Sequence, residues 1–276
     1  MTKIHWFPGH MKKSLREIQT KLKLVNCLLV ILDARIPFSS INWELLKSLN
    51  NKPFLILLNK SSLADEKQNK FFIEFLQRKQ FPYLFIDVKY KKNIHCLLPR
   101  VKQILCHYMP NYPKILKLMV VGIPNVGKST LINVLSQRKA MITANTPGIT
   151  KQLQWINLSD NIRLMDTPGI LYPKITNPLV GYSLALCSCI KETLFSTTEL
   201  LEYVLSFFQK YYPQNLEKLF ALTKKETQQK NLFQVINQKN KNLLTPNKMF
   251  FIILNKIKKE KITKVNFDIN LISLLL

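Results

Sequence analysis

The sequence is short of acid. Its 276 residues hold 16 Asp and Glu against 41 Lys and Arg, a formal net charge of +25. A surplus of that size favours a polyanionic partner, most simply nucleic acid. Arginine is scarce too: only six of the basic residues are Arg. Codon bias is the competing explanation, because Lys, Asn, Ile and Phe are all abundant here, as in AT-rich genomes. Bias accounts for Lys over Arg but less well for the shortage of acids. Long apolar runs are missing as well. The longest, Cys27–Leu32 and Met249–Leu254, have six residues each, against the ~20 that a membrane-spanning helix needs. No basic-then-apolar leader opens the chain, so no secretory signal is expected. The five cysteines are an odd count and read as reduced thiols of a cytoplasmic protein. Cys187-Ser188-Cys189 has no second pair or spaced histidines, which argues against zinc. Apolar content is not lacking. At 47% it excludes disorder as the main state and can bury the core of one large domain or two ordinary ones.

Residues 1–23 form a basic segment. His5-Trp6-Phe7-Pro8-Gly9-His10 reads as a loop, followed by helical spacing at Met11, Leu15, Ile18 and Leu22. Trp6 and Phe7 suit either a stacked RNA base or packing, and the basic helix Lys12–Lys23 either solvent or rRNA. Residues 24–176 hold six apolar runs of strand length: Cys27–Leu32, Phe54–Leu58, Tyr83–Ile86, Leu116–Val121, Gln154–Leu158 and Ile162–Met165. Helical patterns such as Glu66–Arg78 and Lys128–Leu135 lie between them. That alternation predicts an α/β fold with a mostly parallel sheet covered on both faces. Residues 177–276 read as a smaller helical domain. Leu200–Tyr211 is helical, and Thr245-Pro246 looks like an N-cap followed by proline at the first helical position. Within that helix, Met249–Leu254 fits a buried face better than a membrane-surface one. The end, Leu271–Leu276, either docks on the core or frays.

Gly122-Ile123-Pro124-Asn125-Val126-Gly127-Lys128-Ser129 fits G-x-x-x-x-G-K-[ST] between a strand and a helix, the context that a phosphate loop requires. Its glycines let backbone N–H groups curl around phosphates, and the helix N-terminus adds a favourable dipole. Asn125 to Thr130 (Asn125, Val126, Gly127, Lys128, Ser129, Thr130) are therefore the phosphate-side candidates. Lys128 reaches the β- and γ-phosphates, and the Ser129 hydroxyl ligates Mg²⁺. Asp166-Thr167-Pro168-Gly169 follows the last strand. Its Asp can hold a Mg²⁺-bound water, and its Gly169 N–H can meet the γ-phosphate. Between the two lies Thr146-Pro147-Gly148-Ile149-Thr150. Thr150 is either a second hydroxyl on Mg²⁺, ordered when the γ-phosphate is present, or part of a plain turn.

Asn59-Lys60-Ser61-Ser62 follows the strand Phe54–Leu58 and matches the first half of Asn-Lys-x-Asp, which reads guanine. Ser62 stands at the Asp position and cannot make the bidentate charged pair that a carboxylate makes. Asp65 comes three residues too late. Weakened guanine selectivity is therefore expected. Ile86-Asp87-Val88-Lys89 is a candidate for the loop covering the base. The base-reading element precedes the phosphate loop, whereas in ordinary GTPases it follows. The domain thus reads as circularly permuted.

Phe7-Pro8-Gly9-His10-Met11, Asp33-Ala34-Arg35-Ile36-Pro37, the permuted order, the phosphate loop, and Asp166-Thr167-Pro168-Gly169-Ile170-Leu171 together resemble the ribosome biogenesis GTPase A family over residues 1–265. The resemblance implies a cytoplasmic GTPase acting late in assembly of the large ribosomal subunit. It also implies rRNA contact by the helical C-terminal domain, and hydrolysis stimulated by ribosomal particles and by potassium. Ile170 occupies the position of the water-orienting Gln of small GTPases and cannot replace it. The resemblance assigns that task to His10, whose other roles would be an RNA phosphate contact or a helix cap. It also makes Asn125 a K⁺ ligand, where the residue alone suggests a loop Asn bonded to its own backbone. The alternative function is a non-hydrolysing, nucleotide-tuned RNA-binding scaffold, motivated by Ser62.

Overall fold

The computed structural model describes residues 9–49, 51–136, 154–171, 175–241 and 243–275, with side chains from Leu15 to Ile272. Two compact units emerge, Met1–Ile190 with Asn266–Leu276, and Lys191–Val265. The first is built on six strands: β1 (Cys27–Asp33), β2 (Phe54–Asn59), β3 (Tyr83–Phe85), β4 (Leu116–Val121), β5 (Gln154–Ser159) and β6 (Ile162–Asp166). Their order in the sheet is β3-β2-β1-β4-β6-β5. Every neighbouring pair is parallel except β5 with β6. Helices α1 (Gly9–Lys21), α2 (Trp43–Lys47), α3 (Asn69–Arg78), α4 (Leu97–Tyr108), α5 (Lys128–Leu135) and α6 (Pro178–Leu186) accompany the sheet.

All seven residues of β1 are buried. Continuous apolar runs are what strands covered on both faces require. β5, the antiparallel edge, is exposed to half-buried along its length, and its residues alternate in character accordingly. The register pairs Asp33 with Asn59, Val30 with Val121 and Met119 with Met165. The C-terminal ends of β1, β2, β4 and β6 therefore meet at one edge, where ligands of open parallel sheets bind. The spacing that predicts α1 also predicts its buried stripe. Leu15, Ile18 and Leu22 join Leu28, Val30, Leu32, Phe72 and Leu76 in one core cluster.

The second unit is helical throughout its described residues: α7 (Thr197–Tyr211), α8 (Pro213–Phe220), α9 (Lys224–Thr227), α10 (Leu232–Lys239) and α11 (Pro246–Lys258). The Thr245 side chain accepts from Lys248 N at 3.3 Å, with Pro246 at the first helical turn. α11 packs on α7, burying Met249, Phe250, Ile253, Leu254 and Ile257 against a stripe that includes Leu200, Val204 and Phe208. Four of the six residues of the apolar run thus lie on a buried helix face, while Phe251 is 43% exposed. No helix among the described residues is long and apolar enough to cross a membrane.

The chain then returns to the first unit and ends in α12 (Ile269–Leu275), which packs on α6. Three residues bind the return. Phe267 N donates to Arg35 O at 2.8 Å. Asp268 accepts from Ser39 N at 2.8 Å and from Ser39 Oγ at 2.6 Å. Asn266 Nδ2 donates to Asn69 Oδ1 at 2.8 Å.

Candidate functional site

β4 leads through Gly122 into a loop that ends at Gly127, where α5 begins. Gly127 has φ +105°, and a Cβ there would lie 2.3 Å from Asn59 Nδ2. That position demands glycine twice over, for its backbone angle and for the approach of the β2 loop. Asn59 Nδ2 uses the gap to donate to Val126 O at 2.8 Å, while its Oδ1 accepts from Val88 N at 3.0 Å. Lys60 Nζ donates to Asn125 O at 2.8 Å. The loops after β2, β3 and β4 are therefore bonded into one body by the two residues that the sequence singled out as the base-side pair.

Asp33, at the end of β1, sits at the centre of this body and is fully buried. Its Oδ2 accepts from Arg35 Nη2 at 2.7 Å and from Lys60 Nζ at 2.8 Å. Its Oδ1 accepts from Arg35 N and Arg35 Nε, both at 3.0 Å. Burial alone would raise this carboxyl. The Arg35 guanidinium and the Lys60 ammonium outweigh it and hold the group well below the usual carboxylate range. Sequence reading found Asp33 and Arg35 only as part of a family signature. An Asp-x-Arg at the end of a buried strand was the available signal, since neither charge can be buried there without the other.

Lys128 is buried, and its Nζ donates to Gly122 O at 3.1 Å and Ile123 O at 2.8 Å. Burial lowers its pKa to about 8, against the opposing charge of Asp166. Ser129 and Thr130 occupy the first turn of α5 and are half-buried. Asp166, at the end of β6, is fully buried. Thr167 Oγ1 donates to Val120 O at 2.7 Å, and Ile170 N to Gly122 O at 3.2 Å. Those bonds hold the segment after β6 against β4 and the start of the phosphate loop. A Cβ on Gly169 would lie 2.9 Å from Pro124 Cα, so this approach also requires glycine. The Ile170 side chain belongs to the hydrophobic core.

Asn125 has φ +61°, and its Nδ2 donates to Ser188 O at 2.6 Å, a carbonyl far along the chain. Ser62 Oγ donates to Asp87 Oδ2. Asp65, too late in sequence to replace Ser62, accepts from Lys67 N at 2.9 Å and Gln68 N at 3.3 Å just before α3. His10 falls in the first turn of α1, but its side chain lies outside the described residues, as do Trp6, Phe7 and all of Thr150. Cys187 and Cys189 are buried. Burial pushes the Cys189 thiol up to about 12, so it packs as a neutral group. Among the described residues no cluster of three or more His, Cys, Asp and Glu is placed to hold a metal.

Mg²⁺ takes hard oxygen donors. The Ser129 hydroxyl, at the start of α5, and the Asp166 carboxylate, at the end of β6, supply that chemistry, and Asp166 is near enough for its charge to act on Lys128. A phosphate loop, an acidic strand end beside it and an Asn-Lys pair bonded to it, all on one edge of a parallel sheet, define a P-loop GTPase with its two halves in permuted order.

Comparison with known proteins gives the particular family. Residues 117–256 match the family model described as 50S ribosome-binding GTPase. Ribosome biogenesis GTPase A of Bacillus licheniformis is 34% identical over 96% of this chain and 98% of its own. The probable ribosome biogenesis GTPase A of Mycoplasma genitalium is 32% identical over 97% of each. The GNP-bound crystal structure of YlqF from T. maritima aligns with TM-score 0.63 over 92% of this chain and 97% of that one, at 23% identity, and shares the fold. The chain belongs to the ribosome biogenesis GTPase A family. It is a GTPase of ribosome biogenesis, with GTP and Mg²⁺ as the ligands of its class.

Proposed function

We propose that the protein is a GTP-driven switch in late assembly of the large ribosomal subunit, acting in the cytoplasm. One observation supports this reading most directly. Asn59 and Lys60 are hydrogen-bonded to the phosphate-loop carbonyls Val126 O and Asn125 O, so base-side and phosphate-side groups are preassembled as one site. In that site Asn59, Lys60 and Ser62 meet the base. Asn125, Val126, Gly127, Lys128, Ser129 and Thr130 wrap the phosphates, and the Gly169 N–H meets the γ-phosphate. Ser129, Thr150 and Asp166 would hold Mg²⁺, which when bound would supply neutralisation of phosphate charge. Lys128 leaves the carbonyls of Gly122 and Ile123 for phosphate oxygens, exchanging two neutral acceptors for a charged one.

The Ile170 side chain is in the core and has no polar atom to orient water; the family resemblance gives that role to His10 and makes Asn125 the K⁺ ligand. The net charge of +25 supports contact with rRNA, the basic helix around Lys12–Lys23 and the lysines of residues 177–276 being its footprint. The particle stimulates hydrolysis, and loss of the γ-phosphate releases the protein.

Phosphate release is the test, measured with GTP or ATP, in potassium or sodium, with and without large ribosomal subunits. GTP-selective release raised by potassium and by the subunits is expected. Nucleotide binding without release under every condition would favour a non-hydrolysing scaffold, the reading that Ser62 motivates.

A further inference from the structure

The base-side motif lacks its carboxylate at position 62, yet a buried carboxylate lies against that position. Ser62 belongs to the short turn Ser61–Leu63 after β2. Ser61 N donates to Ile86 O at 3.2 Å, which fixes this turn to the end of β3. The next residue is Asp87, 2% exposed. Its Oδ2 accepts from the Ser62 hydroxyl and from Ser62 N at 3.3 Å, and its Oδ1 accepts from Tyr90 N at 3.3 Å. The Asp87 backbone is itself held. Asp87 N donates to Lys92 O at 3.1 Å, and Lys92 N returns to Asp87 O at 2.9 Å. Val88, the following residue, is bonded to Asn59 Oδ1 at 3.0 Å. The carboxylate is therefore fixed against the serine, on a loop whose next residue is tied to the base-side Asn.

We propose that Asp87 is a positioning residue for base selection, acting through Ser62. This rests on the GTPase reading above. A hydroxyl has one proton and two lone pairs. Asp87 takes the proton, so the half-buried Ser62 Oγ faces the base edge as an acceptor only, with a negative charge behind it. Guanine offers two donors there, N1–H and the 2-amino group. Adenine offers an unprotonated N1 and a C–H, and an acceptor-only oxygen rejects the first. The charge that the motif normally carries at position 62 is thus supplied from the loop after β3, and the serine relays it. Without Asp87 the hydroxyl is free to rotate and donate to the adenine N1, so discrimination falls.

The experiment measures affinity for ribose-labelled fluorescent GDP, ADP and xanthosine diphosphate, on wild-type protein, Asp87→Asn, Ser62→Ala, and the exchanged pair Ser62→Asp with Asp87→Ser. Wild type should prefer GDP. Asp87→Asn and Ser62→Ala should each lower the GDP-to-ADP affinity ratio by roughly ten- to hundredfold, the worth of one charge-assisted hydrogen bond. Asp87→Asn should also relax rejection of xanthosine, whose second carbonyl is repelled by the carboxylate. That relaxation is an outcome a merely structural role for Asp87 does not give. The exchanged pair should restore the ratio by placing the carboxylate at the base directly, a readout that survives if Asp87→Asn folds poorly. An unchanged ratio in Ser62→Ala, or an exchanged pair no better than the single variants, overturns the proposal. If wild type binds neither GDP nor ADP, the GTPase reading itself fails; if it binds both without preference, only the relay does.

Discussion

Replacing Asp33 by Asn tests whether the centre of the site is held by charge. Asn keeps a carbonyl oxygen for Arg35 N and Arg35 Nε, each 3.0 Å away in the wild type. The other oxygen becomes an NH₂ facing two cationic donors, Arg35 Nη2 at 2.7 Å and Lys60 Nζ at 2.8 Å. Two charge-assisted hydrogen bonds are lost, each worth about 1.5–3 kcal/mol. The Arg35 guanidinium, with a side chain only 5% exposed, is left without its counter-charge. Breaking a buried pair from one side costs about 3–5 kcal/mol, and that is the expected loss in urea unfolding at pH 7, with an unchanged denaturant slope. Lys60→Met should cost less than half as much, because its side chain is 22% exposed and water replaces part of the bond. The deficit must also depend on pH. Burial opposes ionisation of Asp33, but Arg35 and Lys60 hold its folded-state pKa below the ordinary value of 3.8. Its contribution is therefore complete above that value and lost as pH falls below it, so wild type and variant should converge in acid. A loss under about 1 kcal/mol, or a gap that persists in acid, would refute a charge-held centre.

Asp268 should behave in the opposite sense. Burial, against the hydrogen bonds from Ser39, raises it from 3.8 to about 6. Its share of stability is present below 3.8 and lost as pH rises through 6, up to about 3 kcal/mol. Asp268→Asn should flatten stability between pH 4 and 7, and an unchanged slope would contradict this. Gly127→Ala places a Cβ 2.3 Å from Asn59 Nδ2 at φ +105°. It should lower guanine-nucleotide affinity at least tenfold and stability by about 1–3 kcal/mol, read by fluorescence titration and urea unfolding. Lys128 at about 8 should take up a proton when triphosphate binds. Calorimetry above pH 8 in buffers of different ionisation enthalpy should show uptake, and affinity should fall about tenfold per pH unit; no uptake would place the free amine above that range.

The strands were legible because burial on both faces leaves no room for polar interruptions. β1, β2 and β4 match their apolar runs to within one residue. The phosphate loop was legible for a local reason: Gly127, Lys128 and Ser129 are neighbours in sequence as well as in space. What was not legible joins distant residues. Asp87 lies 25 residues from Ser62, and Asp268 lies 229 residues from Ser39. No periodicity announces either contact. α6 escaped for a different reason. Pro178–Leu186 is apolar on nearly every side, so it has no amphipathic pattern to read, and Gly181 disguises it further. Asn177, whose side chain accepts from Leu179 N at 2.9 Å, was the cap that marked its start.

The position of β1 has a consequence for synthesis. Among the described residues it is the first strand in the chain, and it lies in the middle of the sheet. One neighbour, β2, begins at Phe54, but the other, β4, begins only at Leu116. At about 5–20 residues per second, the ribosome takes roughly 4–17 s to supply those residues after β1 is complete. During that interval a seven-residue strand keeps one edge unpaired, a ready template for another chain. The cut that places base reading before phosphate binding thus lengthens the exposure of the nascent chain. Slowing translation between residues 59 and 116 should raise its aggregation, whereas a pause after Val121 should not.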